Sequence, residues 1–212
     1  MGANRIVFVA WEEAKAGSRD KIDQAQAWER TGNNEKSKSS KGEKRKFKAV
    51  IYHPERQSED LKRMEIGQIY ILGHGAPGHK SIGDLEAGGT ELSAPVVADR
   101  LIASGLQPSF MGDIKLFSCH SAIRTKGANS FADRFAEAMW GRTYINCRIY
   151  GYTESLNAAY TEGVGKGALL HKYGLSHDGG VLTMKDRANT YRRERTNHDA
   201  VHDAAFERTG RG

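Results

Sequence analysis

Five short apolar runs punctuate the chain, separated by longer polar or amphipathic stretches. They are Arg5–Ala10 (RIVFVA), Phe47–His53 (FKAVIYH), Gln68–Gly73 (QIYILG), Ile114–Ser118 (IKLFS) and Cys147–Tyr152 (CRIYGY). Each is rich in Ile, Val, Phe or Tyr and too short for a helix, so each predicts a β-strand. The first and third lack polar alternation, the pattern of central strands covered on both faces. The intervening segments carry helix signals. Ser58–Met64 opens on a capping serine and stops before Gly67. Ser93–Ser104 has Ser93 as a cap, Pro95 in its first turn and Gly105 as a stop. Between Asn129 and Trp140, Phe131, Phe135 and Met139 recur every fourth residue and share one helix face. Strands alternating with helices predict an α/β fold, a three-layer sandwich around a central, mainly parallel sheet.

Two segments break the pattern. Residues 32–48 (GNNEKSKSSKGEKRKFK) lack periodicity and carry seven Lys or Arg against two Glu, which predicts a basic, mobile surface loop. From about Lys185 the chain turns polar again. The expected organisation is therefore one domain over 1–184 and a polar basic tail over 185–212, with a helix expected at Asn197–Arg208. The net charge of +6 over 212 residues favours anionic partners without choosing among them. The Arg-rich stretch near Tyr191 lacks interleaved stacking aromatics, so nucleic acid is not an expected partner. No apolar run is long enough to span a bilayer, and Ile6–Trp11 is too short for the core of an export signal. The two cysteines, Cys119 and Cys147, do not make a disulfide framework.

Chemistry concentrates at the ends of two predicted strands. The third runs into Leu72-Gly73-His74-Gly75 and the fourth into Phe117-Ser118-Cys119-His120. Active sites of open α/β sheets gather at the carboxyl ends of strands. A thiol is a weak nucleophile until it becomes a thiolate, and an imidazole can take or return the proton. The amides of Gly75 and Cys119 are the candidate oxyanion donors, since glycine lets the backbone approach closely. His120 is expected to point away from Cys119, as neighbours on an extended chain do. Cys147 reads as a core thiol. Metal-ligand pairs of the Cys-x-x-Cys kind are absent, so no metal site is expected. Gly73, Gly75 and Gly78 are not followed by the Lys-Ser/Thr of a phosphate loop.

IYILGHG and IKLFSCHSA, about 45 residues apart between His and Cys, resemble the paired motifs of the caspase-like (clan CD) cysteine peptidases. The caspase signature around the cysteine is missing. The chain is most similar to the cysteine protease domain of large bacterial toxins of the clostridial glucosylating and RTX types. Ser130-Phe131-Ala132-Asp133-Arg134-Phe135, Glu91-Leu92-Ser93-Ala94, Gly151-Tyr152-Thr153-Glu154 and Glu162–Gly167 support the likeness, which covers roughly residues 5–180.

The resemblance implies a caspase-like fold and peptide hydrolysis through a thioester, with His74 and Cys119 as a dyad and no required cofactor. It also implies an inositol polyphosphate as candidate activator. Candidate polyanion-binding residues are Lys44, Arg45, Lys46, Arg192 and Arg193. The expected partner is a protein or peptide substrate. An acidic pocket would favour Arg or Lys before the scissile bond, a basic one Asp and an apolar one Leu; the toxin likeness points to Leu. Because the chain starts almost at its first strand, it is expected to be a free-standing bacterial effector or a toxin domain excised from a longer protein; as an effector it is expected to be secreted without a cleavable signal and to act in a target-cell cytosol, and otherwise to stay in the bacterial cytoplasm. The alternative from another class is a catalytically inactive binding module on the same fold, recognising a partner protein or a polyanion.

Overall fold

The structure, a computed structural model, describes residues 3–14, 18–33, 46–84, 89–126, 128–153, 155–161, 171–175, 181–182 and 192–196. In chain order the elements are β1 (Arg5–Val9), α1 (Ser18–Gly32), β2 (Phe47–Ile51), α2 (Glu59–Lys62), β3 (Gln68–Leu72), β4 (Ser81–Gly83), β5 (Glu91–Ser93), α3 (Ala94–Ala103), β6 (Asp113–Phe117), α4 (Phe131–Gly141), β7 (Arg148–Tyr152), β8 (Ser155–Thr161), β9 (His171–Leu175), β10 (Val181–Leu182) and β11 (Arg192–Thr196). The five predicted strands are present, shifted by one or two residues at their ends.

The central sheet has the order β11-β7-β6-β3-β1-β2. The five strands from β7 to β2 are mutually parallel, and β11 closes one edge antiparallel to β7. Connections from β1 run outward to β2 and those from β3 run the other way. The crevice between the carboxyl ends of β1 and β3 is therefore a topological switch point. The order of apolar residues explains why these strands lie in the middle. Residues 6–9 of β1, 69–72 of β3 and all of β6 are buried.

Helices cover both faces. On one, Trp28 of α1 sets its indole edge-on against Phe47, Tyr70 and Phe117 of three different strands, at 6.4, 5.6 and 5.0 Å between ring centres. Each such aromatic pair adds about 0.5–1.5 kcal/mol beyond the area it buries. Phe117 also packs on Tyr152. Gly151, pointing to the opposite face, lies against Ala132 of α4, where an added methyl would crowd the Ala132 and Ala122 side chains. α3 packs on α4, giving helix, sheet and helix layers. α4 is capped by Ser130. The Ser130 hydroxyl accepts from the Asp133 amide, and the Asp133 carboxylate accepts from the Ser130 amide and, through two bonds, from Arg124.

Three features depart from the sequence reading. α1, 15 residues long, was not expected; its buried apolar stripe is only Ile22, Ala25 and Trp28 among charged and amide side chains. Arg192–Thr196, inside the segment read as an appendage, is an extended strand hydrogen-bonded to the central sheet. Its RRERT sequence has no apolar alternation, so backbone pairing at the open edge of β7 decides its form. Of the loop expected over 32–48, Gly32 is the last residue of α1, Phe47 and Lys48 open β2, and residues 34–45 lie outside the described residues. The helix expected at Asn197–Arg208 and the stretch Glu162–Gly167 lie outside them as well.

Candidate active site

β3 and β6 are hydrogen-bonded neighbours in register, with Leu72 opposite Phe117. The residues that follow them, Gly73-His74-Gly75 and Ser118-Cys119-His120, leave the sheet at the same edge. The Gly73 amide still reaches the Phe117 carbonyl at 3.4 Å. Beyond that bond the two loops close on each other. A Cβ placed on Gly75 would overlap both the Ser118 hydroxyl and the Cys119 carbonyl oxygen. Gly75 is thus required by the approach of the two backbones. Ser118 Oγ is buried here without a hydrogen-bond partner. The loops open into a cleft of about 430 Å³ whose lining includes His74, Gly75 and Cys119.

His74 is held from two sides. Its backbone pairs with Gly83 of β4, the amides and carbonyls exchanging bonds of 2.8 and 2.9 Å, so the β4–β5 hairpin is an extension of the His74 loop. Its ring meets α1. Lys21 Nζ lies 2.7 Å from His74 Nε2 and 2.8 Å from Asp20 Oδ2, and Asp20 Oδ2 is 3.6 Å from the same ring nitrogen. The Lys21 side chain is only 3% exposed. An ammonium has donors and no acceptor, so beside the Asp20 carboxylate Lys21 donates to Nε2, which assigns the ring proton to Nδ1.

The hydrogen bond from Lys21, with the positive charge of Lys21, holds the Asp20 carboxyl below the usual carboxylate range against a smaller opposing effect of burial. A folded-state pKa below the unfolded one stabilises the fold above the unfolded value, and that contribution is lost as pH falls through the folded value. Asp20 is more than half exposed, so solvent keeps the effect to about 0.2–1 kcal/mol. Asp20→Asn is therefore expected to lower stability in urea titrations at pH 7 by that amount. The gap should vanish as pH drops below the carboxylate range, and a gap that widens on acidification would contradict the assignment.

Cys119 is partly exposed and free of any disulfide. The Leu156 amide of β8 donates to its sulfur at 3.2 Å, and the sulfur lies 3.8 Å from the Leu156 carbonyl. A thiol can use both contacts, donating to the carbonyl; a thiolate keeps the N–H bond, the stronger kind because its acceptor is charged.

The expectation for His120 is corrected. The chain turns rather than extending after Ser118, His120 takes φ of 55°, and its ring lines the same cleft. Its two nitrogens are engaged by the Thr153 carbonyl at 3.0 Å and Ser155 Oγ at 3.1 Å. His120 therefore braces the Cys119 loop against the start of β8. Cys147 is buried in front of β7.

The described basic candidates are not gathered. Lys46 is exposed at the amino end of β2, one edge of the sheet. Arg192 and Arg193 pair with Tyr152 and Gly151 at the carboxyl end of β7, on the opposite edge. Lys44 and Arg45 lie outside the described residues. Sequence reasoning also missed Asp20 and Lys21; the available signal was the helical spacing of Ile22, Ala25 and Trp28, which puts Lys21 on the margin of the buried stripe.

Fold and site together define an α/β protein with a parallel, doubly covered sheet and a thiol–imidazole cleft at its carboxyl edge. A scan against protein-family models finds no match, and a search of the curated proteins finds none.

Proposed function

We propose that this chain is a cysteine endopeptidase of the clan CD kind, similar to the toxin cysteine protease domains, with Cys119 as nucleophile and His74 as its partner. The observation that carries the reading is the shared cleft. Two adjacent parallel strands deliver a thiol and an imidazole to one opening, through loops so close that only glycine fits at position 75.

The arrangement supports the following course. The Cys119 thiolate, its proton lost to solvent and its charge accepting the Leu156 N–H, attacks the substrate carbonyl. A C–S bond forms and the carbonyl electrons move to oxygen, which the amides of Gly75 and Cys119 stabilise. Collapse breaks the C–N bond. The leaving nitrogen takes the Nδ1 proton of His74 while Lys21 passes one to Nε2. Water then attacks the thioester; Nδ1, now unprotonated, accepts a water proton, and the Nε2 proton returns to Lys21. The acid product leaves and the thiolate is restored. The substrate is a protein or peptide.

A peptidyl acyloxymethyl ketone, which alkylates an activated cysteine, tests the reading. It should label Cys119 in the full-length reduced chain and leave Cys119→Ala unlabelled. Selective labelling of Cys147, or no labelling with and without inositol hexakisphosphate, would favour a binding module on this fold.

A further inference from the structure

Peptide hydrolysis leaves open which side chain the substrate presents before the scissile bond. The cleft contains a group placed to decide it. Among the described residues that line the cleft, Glu91 is the only carboxylate, and no Lys or Arg is among them; the other ionisable groups are His74, His79, His120 and Cys119. Glu91 opens β5 opposite Gly83, and Gly83 is bridged to His74. Two strand spacings of about 4.8 Å set the Glu91 backbone roughly 10 Å from that of His74.

The carboxylate is held toward the cleft, because Ser81, also in its lining, donates its hydroxyl to Glu91 Oε2. Gly75, Ala76 and Pro77 contribute to the same lining. An aliphatic stem can lie along that stretch while its charged head reaches the carboxylate. A Leu side chain would stop short and leave Glu91 in water, and an Asp would meet a like charge.

We infer that Glu91 is the specificity-determining residue of this cleft and selects Lys or Arg immediately before the scissile bond. The inference rests on the peptidase reading and replaces the preference for Leu that the toxin likeness implies. Glu91 is exposed, so in water its attraction for a cation is weak. A bound substrate displaces water from the pair, so a preference of about 10–100-fold is expected.

The test uses three peptidyl acyloxymethyl ketones that differ only in Arg, Leu or Asp at this position, with the rate of Cys119 labelling measured on the full chain. The Arg probe should react at least about tenfold faster than the Leu probe, and the Asp probe slowest. Glu91→Gln should bring the Arg-to-Leu ratio close to one, and the charge reversal Glu91→Arg should make the Asp probe the fastest. An Arg-to-Leu ratio unchanged in Glu91→Gln, or a wild-type preference for Leu, overturns the inference while His74-dependent labelling keeps the peptidase reading. Failure of all three probes to label Cys119 overturns both.

Discussion

Replacing His74 by alanine is expected to slow peptide hydrolysis by about 10²–10⁴-fold, the usual range for a positioned acid–base group, and to leave the fold in place. The two parts of that expectation come from different features. In the proposed course the ring would supply the proton for the leaving nitrogen and accept one from water, and no other described side chain stands in the same place. His120 lines the cleft, but its ring nitrogens are engaged by Thr153 and Ser155. The fold should tolerate the loss because the His74 side chain is about one-third exposed. Its backbone pairing with Gly83 does not depend on the side chain. Lys21, buried though it is, keeps Asp20 at 2.8 Å. The check is kcat/KM on a peptide for wild type and His74→Ala, with urea unfolding of both. Equal rates would remove His74 from the chemistry; a large loss of stability would move its role from catalysis to structure.

Gly75→Ala is expected to be nearly as damaging, by another route. The new methyl would occupy space held by Ser118 Oγ and the Cys119 carbonyl oxygen. The carbonyl is backbone and cannot rotate away, so one loop must retreat from the other. Overpacking of this kind costs about 1–3 kcal/mol. A displacement of about 1 Å at reacting groups costs on the order of 100-fold in rate. Both the imidazole and the candidate oxyanion amides ride on these loops, so the rate should fall by about that factor, together with a lower urea midpoint. Gly141, at the end of α4 with nothing within 4 Å of an added Cβ, is the control: Gly141→Ala should be neutral or stabilising by up to about 1 kcal/mol. A Gly75→Ala chain as stable and active as wild type would show that the loops are not packed as described.

The strand tips were readable in the sequence because buried parallel strands leave an uninterrupted apolar record. QIYIL and IKLF end abruptly at Gly-His-Gly and Ser-Cys-His, and that boundary is where a sheet meets its cleft. Lys115 shows the limit of the rule. It sits inside β6 yet is buried, its ammonium 5.3 and 5.8 Å from the ring centres of Tyr70 and Tyr150 on neighbouring strands. Aromatic faces accept the cation there, an accommodation invisible in the run itself.

The elements that went unread were those whose stability is not local. α1 carries too few apolar residues for its periodicity to stand out, and it is fastened by Trp28 against three strands distant in sequence. β11 is polar throughout. Each exists because a partner supplies hydrogen bonds or an apolar surface.

The sequence alone determined the α/β class, the two motifs and the edge of the sheet to which they belong, because burial and strand period are written residue by residue. Tertiary structure decided the rest. Strand order made the two tips neighbours, helix docking brought Lys21 and Asp20 to His74, and hairpin pairing set Glu91 in the cleft. Those contacts join residues far apart in the chain, so their energies depend on distances that no local pattern records.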